Sequence, residues 1–128
     1  MARTRSVTLT EGELRLMRVL WERGRASVSD IVAALPAKRR PAYNTVLTLL
    51  RILEQKGHVR HEKRGRAFVY SPIIGREQAQ RRAVRRLVSQ LFDGSPGSLA
   101  VDILEHDRVD ADELKHLRQL LNETSEEA

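Results

Sequence analysis

Residues 41–57 read PAYNTVLTLLRILEQKG, from Pro41 to Gly57. Proline suits the first turn of a helix and glycine the position just past its end, so the stretch predicts one short helix. On a wheel of about 100° per residue, Val46, Leu49, Leu50 and Leu53 fall in a narrow arc with Ala42. Asn44, Thr48, Arg51 and Gln55 lie opposite, flanked near the N-terminal end by Thr45 and Leu47. A solvent face would favour Lys and Glu, because Asn and Thr are mediocre helix formers. Leu47 and Ile52 are apolar yet off the core arc, and so ask for a partner. A DNA major groove suits this set. Asn can bond an adenine edge, Arg guanine or phosphate, Thr either, and an apolar side chain can pack on a thymine methyl. The helix N-terminus can also receive a phosphate.

The flanks agree. Lys38, Arg39 and Arg40 immediately precede the helix, and Tyr43 opens it. After Gly57, HVRHEKRGRAFVYSP places Val59 before a basic Gly-containing turn and Phe68, Val69 and Tyr70 after it, which predicts a two-stranded hairpin ending at Pro72. Lys63, Arg64 and Arg66 sit at its tip. The two basic clusters, with Tyr43, would bracket a groove-inserted helix and reach backbone phosphates.

Upstream, Thr10 and Glu13 have capping-box spacing, and Leu9 and Leu14 stand where a hydrophobic staple would put them. Leu14, Met17, Leu20 and Trp21 form an apolar helical stripe that Gly24 ends. A second short helix can be capped by Ser27 or Ser29, turns Ile31, Ala34 and Leu35 inward, and stops at Pro36. Residues 1–8, with Arg3 and Arg5, read as a frayed arm. Three helices and a hairpin within residues 1–72 make a winged helix-turn-helix domain.

Residues 73–128 return to helix. Ala83, Val84, Leu87, Val88 and Leu91 stripe a long helix over about residues 76–92. Pro96 begins another through Leu104, and Asp110 and Glu113 cap a last one carrying Leu114, Leu117, Leu120 and Leu121, before a disordered TSEEA tail. The fold class expected is mainly α with a small β-hairpin. So small a second unit is marginal alone. Its stripes (Val84, Leu87 and Leu91; Leu104; Leu117, Leu120 and Leu121) either pack on the chain's own N-terminal domain or are buried by a second copy, which would make the three helices a dimerisation region.

The charge is uneven. Of the net +6, residues 1–70 hold 15 Lys/Arg against 6 Asp/Glu, and residues 71–128 hold 8 against 11. A basic first half joined to a mildly acidic second half implies that one half meets a polyanion and the other does a different job. Arg76, Arg81, Arg82, Arg85 and Arg86 can support the DNA-facing side or pair with the acidic segment after Asp93 across a dimer; the second is favoured. The absence of cysteine excludes disulfides and thiolate metal sites. No apolar run approaches the ~20 residues of a membrane span, and the N-terminus lacks a secretory apolar region. A cytoplasmic protein without membrane insertion is expected.

No motif pairs a nucleophile with a base, cradles a phosphate in a Gly loop or reads HExxH, so neither catalysis nor a cofactor is expected. His58 and His61, three apart on a strand, point to opposite faces and make no shared metal site; His106 and His116 read as surface residues. Two other readings stand beside DNA binding. One is a winged-helix protein–protein module, against which the basic loop, basic wing and Leu47 argue. The other is a small-ligand-responsive winged-helix regulator, for which four percent aromatic residues and little spare core leave no pocket expected.

LTEGELRLMRVLWERGRASVSDIVAAL, followed by AYNTVLTLLRILEQKGHVRHEKRGRAFVYSP, resembles the penicillinase-repressor family of BlaI, MecI and CopY type, over roughly residues 8–122. The run from Tyr43 through Pro72 is its most specific part. The resemblance implies a homodimeric repressor on a dyad-symmetric DNA operator, with Asn44, Thr45, Leu47 and Thr48 at base-reading positions and Arg51 also available. Some members carry glutamine where this chain has Leu47. In the β-lactam branch a membrane-bound sensor metalloprotease signals, and the repressor is cut at an Asn–Phe bond in its dimerisation domain. Asp102 and Ile103 stand at the matching positions and keep the polar–apolar order. The copper-responsive branch uses C-terminal cysteines, which this chain lacks.

Overall fold

Local capping chemistry sets most of the element boundaries in the computed structural model, which describes residues 9–127, apart from the side chains of Arg39 and residues 125–127. The arm expected over residues 1–8, with Arg3 and Arg5, lies outside the described residues. Helix α1 (Glu11–Arg23) starts at a closed capping box: the Glu13 N–H donates to Thr10 Oγ1 at 3.2 Å and the Thr10 N–H to Glu13 Oε1 at 2.8 Å. It ends at Gly24, whose φ of 81° only glycine adopts cheaply. Helix α2 (Val28–Ala34) repeats the device with Ser27 and Asp30, which selects Ser27 over Ser29 as the cap. A single 3-10 turn, Ala37–Arg39, leads to α3 (Tyr43–Gln55).

Helix α3 begins two residues later than Pro41 predicts. Ala42 is its N-cap, extended and exposed rather than part of the core arc, and no side chain caps the turn. Its other end is closed as expected. Gly57 takes φ 84°, its N–H donates to the Glu54 carbonyl at 3.0 Å, and the His58 N–H donates to the Leu53 carbonyl at 2.9 Å. That pair of bonds is a Schellman cap, and it turns the chain into the wing.

Strands β2 (Val59–Arg64) and β3 (Ala67–Pro72) pair antiparallel from Val59 opposite Pro72 to Arg64 opposite Ala67. Gly65, at φ 61°, is the first residue of a two-residue connection, the position where a type II′ hairpin needs glycine. The sheet has a third strand that the sequence does not announce. β1, only Ala26–Ser27, pairs with β3 to give the order β1-β3-β2. Two residues show no alternation; tertiary pairing, not local pattern, makes them a strand.

The core of this unit joins Leu16, Met17 and Leu20 of α1, Ile31 and Leu35, Val46, Leu50 and Leu53 of α3, and Val59 and Tyr70 of the sheet. Leu16 and Val19 are buried where the stripe expected was Leu14, Met17, Leu20 and Trp21; Leu14 and Trp21 are half-covered flanks. The centre of the buried arc is thus rotated from the predicted one. On α2, Val28 is buried and Ala34 exposed, because Val28, Ile31 and Leu35 share one face at helical spacing. Trp21 satisfies its indole N–H with the Ile74 carbonyl at 2.8 Å, and Arg76 lies 5.2 Å from its ring.

Helices α4 (Arg76–Leu91), α5 (Pro96–His106) and α6 (Ala111–Glu127) follow. The chain divides into two compact units, residues 1–86 and 87–128, with the division inside α4. α5 starts on Ser95, and α6 on Asp110, whose carboxylate accepts the Glu113 N–H at 2.8 Å. That bond holds the Asp110 carboxyl below its ordinary pKa, while the neighbouring Asp110 pushes Glu113 up. The tail expected to be disordered continues α6 through Glu127. No Gly or Pro interrupts it after Leu121, and extending a helix adds one bond per residue fixed.

Candidate nucleic-acid interface

The first turns of α3 carry the candidate surface. Asn44, Thr45, Thr48 and Arg51 are all exposed, with Val46, Leu50 and Leu53 fully buried behind them. One helix thus anchors three apolar side chains in the core and presents its polar ones outward, which fixes the polar set on a rigid backbone. The Thr48 hydroxyl donates to the Asn44 carbonyl at 2.9 Å. This local bond orients its oxygen and leaves a lone pair to accept from outside. Leu47, expected to await a partner, is half-buried and packs against the core. The fold itself accounts for much of its apolar character. Gln55 is exposed on the last turn, far along the helix from Asn44.

The basic clusters flank this face differently. Lys38 is exposed on the loop before α3, and Tyr43 is exposed at its start. Arg40 is tied into the fold, since its guanidinium donates to the carbonyls of Ala33 (3.2 Å) and Leu35 (3.2 and 3.4 Å). It thereby satisfies C-terminal carbonyls of α2 and holds the α2–α3 loop. The side chain of Arg39 lies outside the described residues. At the hairpin tip, Lys63, Arg64 and Arg66 are exposed, and Arg64 lies 3.2 Å from Glu62. Such an exposed pair is worth little and opens readily when a phosphate competes.

Two contacts position the wing and the helix, and neither is visible as a motif. His61 on β2 sits 2.7 Å from a Glu54 carboxylate oxygen and packs against the Phe68 and Tyr70 rings. The wing is thereby joined to the last turns of α3. Tyr70 is buried, and burial first, then the Glu54 carboxylate, pushes its phenol above the ordinary value, so it stays neutral. Lys56, just past α3, donates to Glu13 Oε1 at 2.7 Å across 43 residues of sequence. This buried pair clamps the capping box of α1 to the end of α3. The seven-residue spacing of Glu54 and His61 across the Gly57 turn could have hinted at the first contact; nothing local signals the second.

In the second unit the predicted stripes remain on the surface. Leu87 of α4, Leu104 and Leu117, and Leu120 are exposed, as are Leu91 at 72% and Leu121 at 62%, while Val88 is buried; Val84, on the part of α4 that belongs to the first unit, is exposed too. Asp102 and Ile103 lie together in mid-α5, with the Asp102 carbonyl accepting from His106 Nδ1 at 2.9 Å. Among the described residues, no arginine of α4 pairs with a carboxylate, no cluster of His, Asp or Glu could hold a metal, and no helix is long and apolar enough to cross a membrane. Among its cavities the first unit holds two mainly apolar ones, of about 430 and 250 Å³. The expectation of no pocket is thereby corrected: partial cover by Leu49 and the loop prolines leaves one space, and partial cover by Leu14 and the single tryptophan, Trp21, leaves the other.

Three helices, a small sheet with a basic tip, and an outward polar helix between basic flanks define a winged helix-turn-helix of DNA-binding type. The chain belongs to the penicillinase repressor family, whose model matches residues 9–123. It is 27% identical over 115 residues to the penicillinase repressor of Bacillus licheniformis, covering 90% of each chain. It is 23% identical over 114 residues to the methicillin resistance regulatory protein MecI of Mammaliicoccus sciuri, covering 89% of this chain and 93% of that one. A solution structure of the DNA-binding domain of the repressor BlaI superposes with a TM-score of 0.51 at 28% identity, over 59% of this chain and 93% of that one. The protein is a DNA-binding transcriptional repressor and not an enzyme.

Proposed function

We propose that the repressor acts in the cytoplasm as a homodimer on a dyad-symmetric operator, reading bases with Asn44, Thr45, Thr48 and Arg51 and with Leu47 at the edge of that set. The observation that carries this reading is the exposed polar face of α3, anchored from behind by the buried Val46, Leu50 and Leu53, with exposed Lys38 just before the helix, exposed Tyr43 at its start and exposed Lys63, Arg64 and Arg66 at the tip of the hairpin that follows it. Phosphate contacts from the flanks fix register, and the helix supplies base contacts. Arg40 contributes through the loop it holds.

The apolar side chains exposed on α4, α5 and α6 support pairing of two copies, since a monomer would leave them in water. A two-fold dimer presents its recognition helices about 34–36 Å apart, one turn of DNA, or a multiple of that. The reading assigns residues 1–72 to DNA binding and 73–128 to dimerisation. Derepression by a membrane sensor metalloprotease or another protease at Asp102–Ile103 belongs to the same proposal. Because that bond lies in mid-helix, cutting it requires α5 to open locally. Protection mapping on the DNA upstream of the protein's own gene tests the reading: a symmetric footprint with two half-sites is expected. Absence of binding even at low salt would favour a protein–protein module instead.

A further inference from the structure

The smaller cavity, about 250 Å³, lies between α1 and the first three turns of α4, within the first unit. Leu14, Trp21 and Ala79 are among its apolar walls, and Arg18, Arg76 and Arg82 bring three guanidinium groups to it. No carboxylate lines it, and none of these arginines takes part in an ion pair among the described residues. Arg76 is held over the Trp21 ring, 5.2 Å from its centroid. Three unpaired cations at an apolar hollow repel one another, and an anion placed among them relieves that repulsion. Guanidinium groups match a carboxylate in geometry as well as charge. The apolar walls add a requirement for an apolar body, and a volume below the roughly 300–1,000 Å³ of ordinary ligand pockets limits that body to about one ring.

We infer that this cavity is a binding site for a compact amphipathic acid, one aromatic or branched apolar group bearing a single carboxylate. The carboxylate meets Arg18 and Arg82, and the apolar group rests against Leu14, Ala79 and the edge of Trp21. The site is separate from the polar face of α3, and DNA reading does not use it. The larger of the two, between α1, the segment joining α2 to α3, and α3, carries a weaker case, because its Arg15 is already paired with Glu11 at 3.1 Å.

Trp21 is the chain's single tryptophan, so its indole N–H gives one NMR signal that reports on the site directly. The full-length protein is titrated with benzoate, with benzyl alcohol as the neutral analogue and inorganic phosphate as the anion without an apolar body. Benzoate is expected to shift the signal saturably, and the two controls to bind at least about tenfold more weakly. Arg18→Gln and Arg82→Gln should each weaken benzoate about tenfold or more, the worth of a charge-assisted hydrogen bond. Ala79→Phe, which fills the hollow from a helical position, should abolish the shift while circular dichroism shows the fold intact. The inference is overturned if benzoate gives no saturable shift, if benzyl alcohol or phosphate binds as well as benzoate, or if both Arg→Gln variants bind like the wild type.

Discussion

Lys56→Met removes one half of a buried ion pair and leaves the other half in place. Glu13 is 1% exposed, and its Oε1 receives the Lys56 ammonium at 2.7 Å and the Thr10 N–H at 2.8 Å. Its Oε2 is buried without a hydrogen-bond partner among the described residues. After the substitution one backbone N–H supports a buried carboxylate, and breaking such a pair costs about 3–5 kcal/mol. At about 4–8 °C per kcal/mol for a unit of this size, the melting temperature of the winged-helix unit should fall by at least ~12 °C at neutral pH. The effect also depends on pH. In the wild type burial pushes the Glu13 carboxyl up, but hydrogen bonds from Lys56 and Thr10 outweigh it, and the pKa lies below its ordinary 4.5. Its contribution is therefore present above pH 4.5 and lost as pH falls through the lower folded value. In Lys56→Met burial is no longer outweighed and the folded pKa rises above the unfolded one. That variant loses stability as pH rises through this window, so its deficit shrinks in acid. Thermal melts followed by Trp21 fluorescence across the acid range measure both effects. Adding Glu13→Gln to Lys56→Met should recover most of the loss, because glutamine keeps the capping box without a buried charge. A pH-independent deficit under about 1 kcal/mol would overturn this expectation and class the pair with solvent-exposed ones.

Other consequences are equally open to measurement. Gly57→Ala should cost about 1–2 kcal/mol, read as a lower denaturant midpoint at unchanged slope, because the φ of 84° is strained for alanine although no neighbour would meet its Cβ. Arg64→Ala should weaken binding to all DNA sequences alike and lower the salt slope by about 1; a loss confined to one sequence would make Arg64 a base reader. Leu87→Glu and Leu120→Glu, at exposed apolar positions of α4 and α6, should shift sedimentation from dimer towards monomer with helix content retained. A wild-type mass that stays monomeric at every concentration would rule the dimer out.

The winged unit was legible wherever the physics is local. Thr10 with Glu13, Ser27 with Asp30, and Gly57 each close a helix end through bonds spanning a few residues, and such bonds leave a signature in the spacing. The Gly65 turn and the three-helix order could be read for the same reason. What the sequence hid is held together across long separations. Ala26–Ser27 is a strand because β3 lies beside it, and Glu13 is buried because Lys56 arrives from 43 residues away. The polar face of α3 was legible from its periodicity, but the division of labour in its basic flank was not. Arg40 looks like Lys38 in sequence, and only the carbonyls at the end of α2 distinguish them. Leu47 likewise reads as spare until the core is seen to reach it.

In the proposed function the exposed N-terminal half of α3 reads bases while its flanks hold phosphates. The sharpest test compares the affinities of the wild type and Asn44→Ala for the mapped operator and for each of its single base-pair variants. Asn44→Ala is expected to lose about 1–3 kcal/mol of discrimination at one symmetric pair of positions and to leave the others unchanged. Equal weakening at every position, or unchanged discrimination throughout, would mean that this face of α3 does not read bases through Asn44.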